Sequence, residues 1–290
     1  MSNKNRFVPT EDSLSFSETI AKALDMPFDK TATKKHSYEL LERYFKDISQ
    51  VLPDETDGCY FENFASRNFM AFADQIENTP IISIDEQWQM FLMSANIIVC
   101  VRACIVLNED ERCQNNALFR ENLETFSDPY THEILREKMR PIFIKHAEVL
   151  PLANLLTTCM FGFMLCHELA HHNLGHMDNI QNKQQELDAD TKGFEYLTRV
   201  SGQFEQLKFL KVPPNMLCAP VLAMTYLRAL EAIGIISSES DSHPSASQRT
   251  QNLHEQFNNI ANGNARYLFN GLRSSSEELI DEIEKAVPMS

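Results

Sequence analysis

Residues 150–176 read LPLANLLTTCMFGFMLCHELAHHNLGH. The first 17 of them, from Leu150 to Cys166, carry no charge, and the run then passes directly into His167, Glu168 and His171. Pro151 suits a first helical turn, and Gly175 is a natural stop. The stretch therefore predicts one apolar helix over about 152–175. A clean membrane span needs about 20 apolar residues. This run meets His and Glu first, so a buried core helix is the expectation and a membrane location is not. The segment 88–107, interrupted by Gln89, Asn96 and Arg102, reads the same way.

The sequence His167-Glu168-Leu169-Ala170-His171 fits H-E-x-x-H. Residues four apart share a helix face, so both imidazoles reach one cation. Zinc takes neutral imidazole at about 2.0–2.1 Å. Glu168 lies about 100° around the helix, beside the ion, where it serves as general base toward a water. Buried polar groups need partners, and a metal is the partner this pattern asks for.

Catalytic zinc usually has three protein ligands and one open position. A third histidine at the metzincin spacing is absent: the required Gly and His positions hold Leu174 and Met177. The next segment supplies Glu186 and Asp190, four apart on one face. Glu186 is the expected third ligand. Asp190 is expected to accept a hydrogen bond from the far nitrogen of a ligand imidazole, fixing its tautomer. About seven residues suffice to return the chain at normal helix spacing. Asp188 faces elsewhere. His172 is one step off the ligand face, and His176 falls past the helix end, where a structural role near the C-terminal dipole is expected. These residues predict zinc-dependent hydrolysis of peptide bonds, with Zn2+ on His167, His171 and Glu186. Cys159 and Cys166 are expected to pack rather than react.

Outward from this helix, the chain of 290 residues has 43% apolar residues, 8 Gly and 12 Pro, the composition of a globular, helix-rich protein. The predicted class is mainly α with a small β-sheet (α+β). Strands are expected at 67–73 and 80–84, with a turn at 74–79. Helices are expected from about 37, from 85 to 107 with Asp85 as N-cap, within 117–148 after a break at 108–116, and at 183–200. Further ones are expected at 215–234, after Pro244, and from Ser275 or Ser276 onward. Residues 1–58 read as an N-terminal helical segment, and 59–290 as the chemical domain with a helical insertion at about 86–150. The net charge of -15 repels phosphate backbones, so nucleic acid is excluded as a partner. Seven cysteines without a CxxC pair point to a reducing compartment. The polar start, MSNKNRFVPTEDSLSF, has no signal core, so the expected location is cytoplasmic. Oligomeric state is left open.

HELAH, Gly175-His176 and the E-x-x-x-D of 186–190 together resemble gluzincin metallopeptidases of the HtpX and CAAX-prenyl-protease type. Ser242-His243-Pro244-Ser245 with Arg249 is similar to a His-Pro segment downstream in that group. Asn68 to Ala73, followed by Ile81-Ile82-Ser83, is similar to the strand pair bordering its cleft. The resemblance implies a zincin-like fold. It makes 68–73 a peptide-docking strand working by β-augmentation, and gives His243 a catalytic role, at the metal in a resting state or at the oxyanion. The chain departs from that group in lacking membrane spans, in the insertion, and in the short gap from His171 to Glu186. Size, soluble character and gap look more like Lit-type phage-exclusion peptidases. That likeness implies a cytoplasmic protease attacking a host protein such as a translation factor. The rival readings are a catalytically weak zinc-fold sensor or binding protein, and a membrane-associated protease.

Overall fold

The computed structural model describes residues 30–64, 71–76, 79–85, 87–127, 131–176, 182–238 and 243–286. Its elements are α1 (Lys30–Val51), β1 (Tyr60–Phe64), β2 (Ala71–Ile76), β3 (Thr79–Asp85), α2 (Gln87–Cys104), α3 (Glu109–Glu124), α4 (Thr131–Lys145), α5 (Leu150–Asn173), α6 (Lys183–Gly202), α7 (Ala219–Ala232), α8 (Ala246–Ile260) and α9 (Gly263–Ala286). The described residues are mostly helical with one small mixed sheet, the α+β arrangement expected.

Everything is built on α5. Among the described residues, Ala147–Asn173 is the one helix long and apolar enough to cross a membrane, and 72% of its most apolar window is buried inside the protein. Packing explains that apolarity: α1, α2, α6, α7 and the sheet all contact α5. Helix α1 adds Leu41, Tyr44, Phe45 and Ile48 to the same apolar core. A polar tie crosses this core. Tyr226 Oη donates to Asn96 Oδ1 at 2.8 Å, and Asn96 Nδ2 donates to Thr157 Oγ1 at 2.9 Å. One buried chain of hydrogen bonds thus joins α7, α2 and α5 in a fixed register.

The sheet order is β1-β3-β2. Strand β3 is central, parallel to β1 and antiparallel to β2. Its consecutive residues Ile82, Ser83 and Ile84 are all buried, as suits a strand covered on both faces. This leaves β2 at an edge. The expected strand at 80–84 lies within β3. Of the expected strand at 67–73, residues 67–70 lie outside the described residues. Strand β2 begins at Ala71 and runs through Ile76, where a turn was expected. Strand β1, in which Phe61 stacks on Phe45 at 5.5 Å, was not anticipated.

Several helix boundaries differ from expectation. Asp85 ends β3 instead of capping α2. The polar stretch 108–116 begins a helix: Asn108 Oδ1 accepts from the Glu111 N–H and Glu111 Oε2 from the Asn108 N–H, both at 3.0 Å, a reciprocal capping box. Helix α8 follows Pro244 as expected, and Ser245 caps it in the same way with Gln248. Helix α9 starts at Gly263, and Ser276 sits inside it, buried, with its hydroxyl donating to Leu272 O at 2.9 Å. Back-bonding to the previous turn lets a serine ride within a helix.

Candidate active site

Helix α5 presents His167, Glu168 and His171 near its C-terminal end. It stops at Leu174, and Gly175 follows with φ +69°, the left-handed conformation glycine adopts cheaply. Helix α6 starts behind Asn182, whose Oδ1 accepts from the Gln184 and Gln185 N–H groups at 3.0 and 3.1 Å. Glu186 then falls in the first turn and Asp190 one turn later. The two helices cross with almost nothing between them. A Cβ on Gly193 would lie 2.8 Å from His167 Cα and 2.9 Å from His167 N. Gly193 shares a face with Asp190 and Glu186, so its missing side chain is what lets both carboxylates reach α5.

Gly193→Ala is therefore expected to destabilise the fold by about 1–3 kcal/mol through overpacking against backbone, although alanine is the better helix former. Gly202→Ala, where a Cβ meets nothing within 4 Å, is expected to stay within about 0.5 kcal/mol of the parent. Denaturant midpoints of the two variants test this, and equal midpoints would refute the contact's importance.

The two helices bring three side chains together that could hold a metal ion. His167 Nε2 and His171 Nε2 are 3.1 Å apart. Glu186 Oε1 lies 3.3 Å from His171 Nε2, and Glu186 Oε2 3.6 Å from His167 Nε2. With bonds of about 2.0–2.1 Å, a tetrahedral ion separates its ligand atoms by about 3.3 Å. The three side chains are buried, and their spacing fits a divalent cation.

Around this triangle sits a charged frame. Asp190, with 0% exposure, brings Oδ1 to 3.0 Å from His167 Nδ1, though without the alignment of a strong hydrogen bond. Arg249, from the first turn of α8, grips Asp190 with two donors: Nε to Oδ2 at 2.8 Å and Nη2 to Oδ1 at 2.6 Å. Its Nη1 lies 3.6 Å from Glu186 Oε2. Burial alone would lower the His167 pKa, but Asp190 and Glu186 outweigh it and lift it to about 10. Burial would raise Glu186, yet the two imidazoles and Arg249 hold it well below the usual carboxylate range. Glu168 is different: burial dominates and pushes its carboxyl up, the direction that suits a proton acceptor. Cys159 and Cys166 are buried, and burial drives both thiols far up, which makes them inert.

The sequence model of the family Peptidase U49 matches residues 112–269, more than half of the chain. The chain belongs to this family. Peptide-bond hydrolysis is thereby its class of activity. His167, Glu168, His171, Glu186, Asp190, His243 and Arg249 all lie inside the matched stretch, whereas α1, α2 and the sheet lie outside it. No curated protein and no solved structure matches this U49 peptidase.

In the U49 peptidase the cluster opens on a cleft of about 480 Å³. His167, Glu168, His171 and Glu186 form its polar side. Trp88, Phe91, Phe163, Met224 and Leu227 form an apolar wall, and Ala71, Ala73 and Asp74 of β2 border it. Trp88 and Phe91 meet edge to face at 5.9 Å, and both pack on Phe126. His243 stands at the rim, 54% exposed, with Nε2 4.0 Å from Glu186 Oε1.

Two residues acquire places that sequence reasoning did not give them. His176, expected to be structural, lies with Nδ1 3.0 Å from His171 Nδ1. The chain reversal at Gly175 brings it back, and that glycine was the available signal. Arg249 was noted only for resemblance. Its partner Asp190 lies on another helix, reached because α8 packs on α6.

Proposed function

We propose that this U49 peptidase is a zinc-dependent endopeptidase of the gluzincin type with a zincin-like active-site helix. His167, His171 and Glu186 hold the ion, and Glu168 is the general base. The reading rests above all on three buried side chains on helices locked by Gly193: the two ring nitrogens lie 3.1 Å apart, and the two Glu186 oxygens lie 3.3 and 3.6 Å from them. When bound, the ion supplies Lewis acidity, polarising a carbonyl and making water more acidic. Glu168 takes the proton of the attacking water and passes it to the leaving amine. Asp190, held by Arg249, orients His167. His243, at the rim, assists the developing oxyanion.

The edge strand β2 borders the cleft and offers main-chain groups to an extended peptide. The apolar wall facing Glu168 favours a substrate with apolar side chains beside the cleaved bond. The substrate class we favour is a cytoplasmic host protein, such as a translation factor, cleaved in Lit-type phage exclusion. We assign 59–290 as the peptidase unit, with 86–150 as a helical insertion that carries part of the wall.

The purified chain is expected to hold about one zinc ion, measured by elemental mass spectrometry. Glu186→Ala should lose it, and chelation should stop cleavage of unfolded casein until zinc is restored. A metal-free protein that cleaves casein undisturbed by chelators would overturn the assignment.

A further inference from the structure

We propose that His176 is a positioning residue for His171, holding that imidazole with Nε2 toward His167 and Glu186 by accepting a hydrogen bond on Nδ1. The inference rests on the metal-site reading above.

The two ends of the His171 ring have different duties. Its Nε2 is committed to the cluster, 3.1 Å from His167 Nε2 and 3.3 Å from Glu186 Oε1. A neutral imidazole that turns Nε2 toward a cation carries its proton on Nδ1. That N–H is largely buried and needs an acceptor. His176 Nδ1 stands at 3.0 Å, with ring planes crossing at 68°. Two nitrogens this close do not both carry hydrogens when one bonds the other. With His171 protonated at Nδ1, His176 carries its own proton on Nε2, so one contact fixes the tautomer of both rings.

How His176 gets there is equally specific. Five residues along a continued helix would place it about 140° around from His171. The helix ends first. Leu174 N–H bonds Ala170 O at 2.9 Å, and Gly175 N–H bonds His172 O at 3.0 Å. Gly175 then turns the chain at φ +69° and folds His176 back over the last turn. A Cβ on Gly175 would meet nothing within 4 Å, so the glycine serves this reversal and not packing.

The two ligand imidazoles thus have unlike supports. His167 faces a carboxylate anchored by Arg249, and His171 faces a neutral ring at the cleft edge. The second support is the one that a single substitution removes without unpairing a buried charge.

The test uses the full chain loaded with zinc, then with cobalt. Asn presents an oxygen where His has Nδ1; Gln presents its amide where His has Nε2. His176→Leu is expected to weaken zinc about 10- to 100-fold in competition with a chromophoric chelator and to shift the visible absorption of the cobalt form. His176→Asn should return affinity and spectrum to near the parent, whereas His176→Gln should not. The Asn and Gln variants carry the comparison if His176→Leu fails to fold. Parent-like affinity and spectrum in all three would overturn the proposal while leaving the metal site intact. Equal losses in Asn and Gln would overturn it too, by showing that the ring acts through bulk. A parent chain that takes up neither metal would instead sink the metal site itself.

Discussion

Glu168→Gln should abolish peptide hydrolysis while the chain keeps its zinc. The substitution preserves size and shape and removes only the ability to take up a proton. Glu168 is buried, with 7% exposure, and its carboxyl is pushed up by that burial, so the proposed proton acceptor sits inside the cleft rather than at its rim. Positioned acid–base groups contribute about 10²- to 10⁴-fold, and a loss of that size is expected. Metal content should not change, because the proposed ligands are His167, His171 and Glu186 and not Glu168. Turnover of an unfolded protein and zinc per chain, measured on the same preparation, separate the two effects. Cells expressing either form supply the natural substrate: a protein cut only by the parent chain is the target. Undiminished turnover in the Gln variant would remove Glu168 from the mechanism.

Arg249→Met should be among the most destabilising single changes in the chain, at about 3–5 kcal/mol, the cost of breaking a buried ion pair from one side. Asp190 has no exposure, and Arg249 supplies two of its hydrogen bonds. Arg249→Lys should recover part of the loss, since an ammonium does not reproduce the two-pronged grip. The effect also has a pH signature. Burial alone would raise the Asp190 pKa, but Arg249 and His167 hold it below the usual value. A carboxylate with a depressed folded pKa contributes stability that is present above its unfolded pKa, about 3.9. That stability is lost as pH falls through the folded value. Met at 249 removes the largest cause of the depression, so the gap between parent and variant should be widest near neutral pH and narrow on acidification. Chemical denaturation at neutral pH and at about pH 3, below the unfolded pKa, reads the gap directly. A gap that widens in acid would contradict this account of Asp190.

What the sequence revealed, and what it hid, follows from the range of the forces involved. The apolar run of 150–166 and the stop at Gly175 are local patterns, and α5 appears where they put it. The shared face of Glu186 and Asp190 is also local, and the Asn182 cap fixes it. The strand at 60–64 was missed because its pairing with β3 lies some twenty residues away, and an aromatic-rich pentapeptide shows no strand period of its own. Helix starts at Asn108 and Gly263 were missed because polar residues that cap or back-bond look like loop. In the site, Arg249 and His176 needed tertiary structure: one crosses from α8 to α6, the other returns through a turn. Gly193 was legible in principle, since a glycine inside a helix points to close approach. Which backbone it approaches was not.

Trp88 is the sole tryptophan among the 290 residues, and it stands in the cleft wall beside Phe91 and Phe126. The indole emission of the whole molecule consequently originates from one location. Fluorescence excited near the red edge of protein absorption is a built-in optical gauge of what enters the cavity, with no dye attached and no background from elsewhere in the chain.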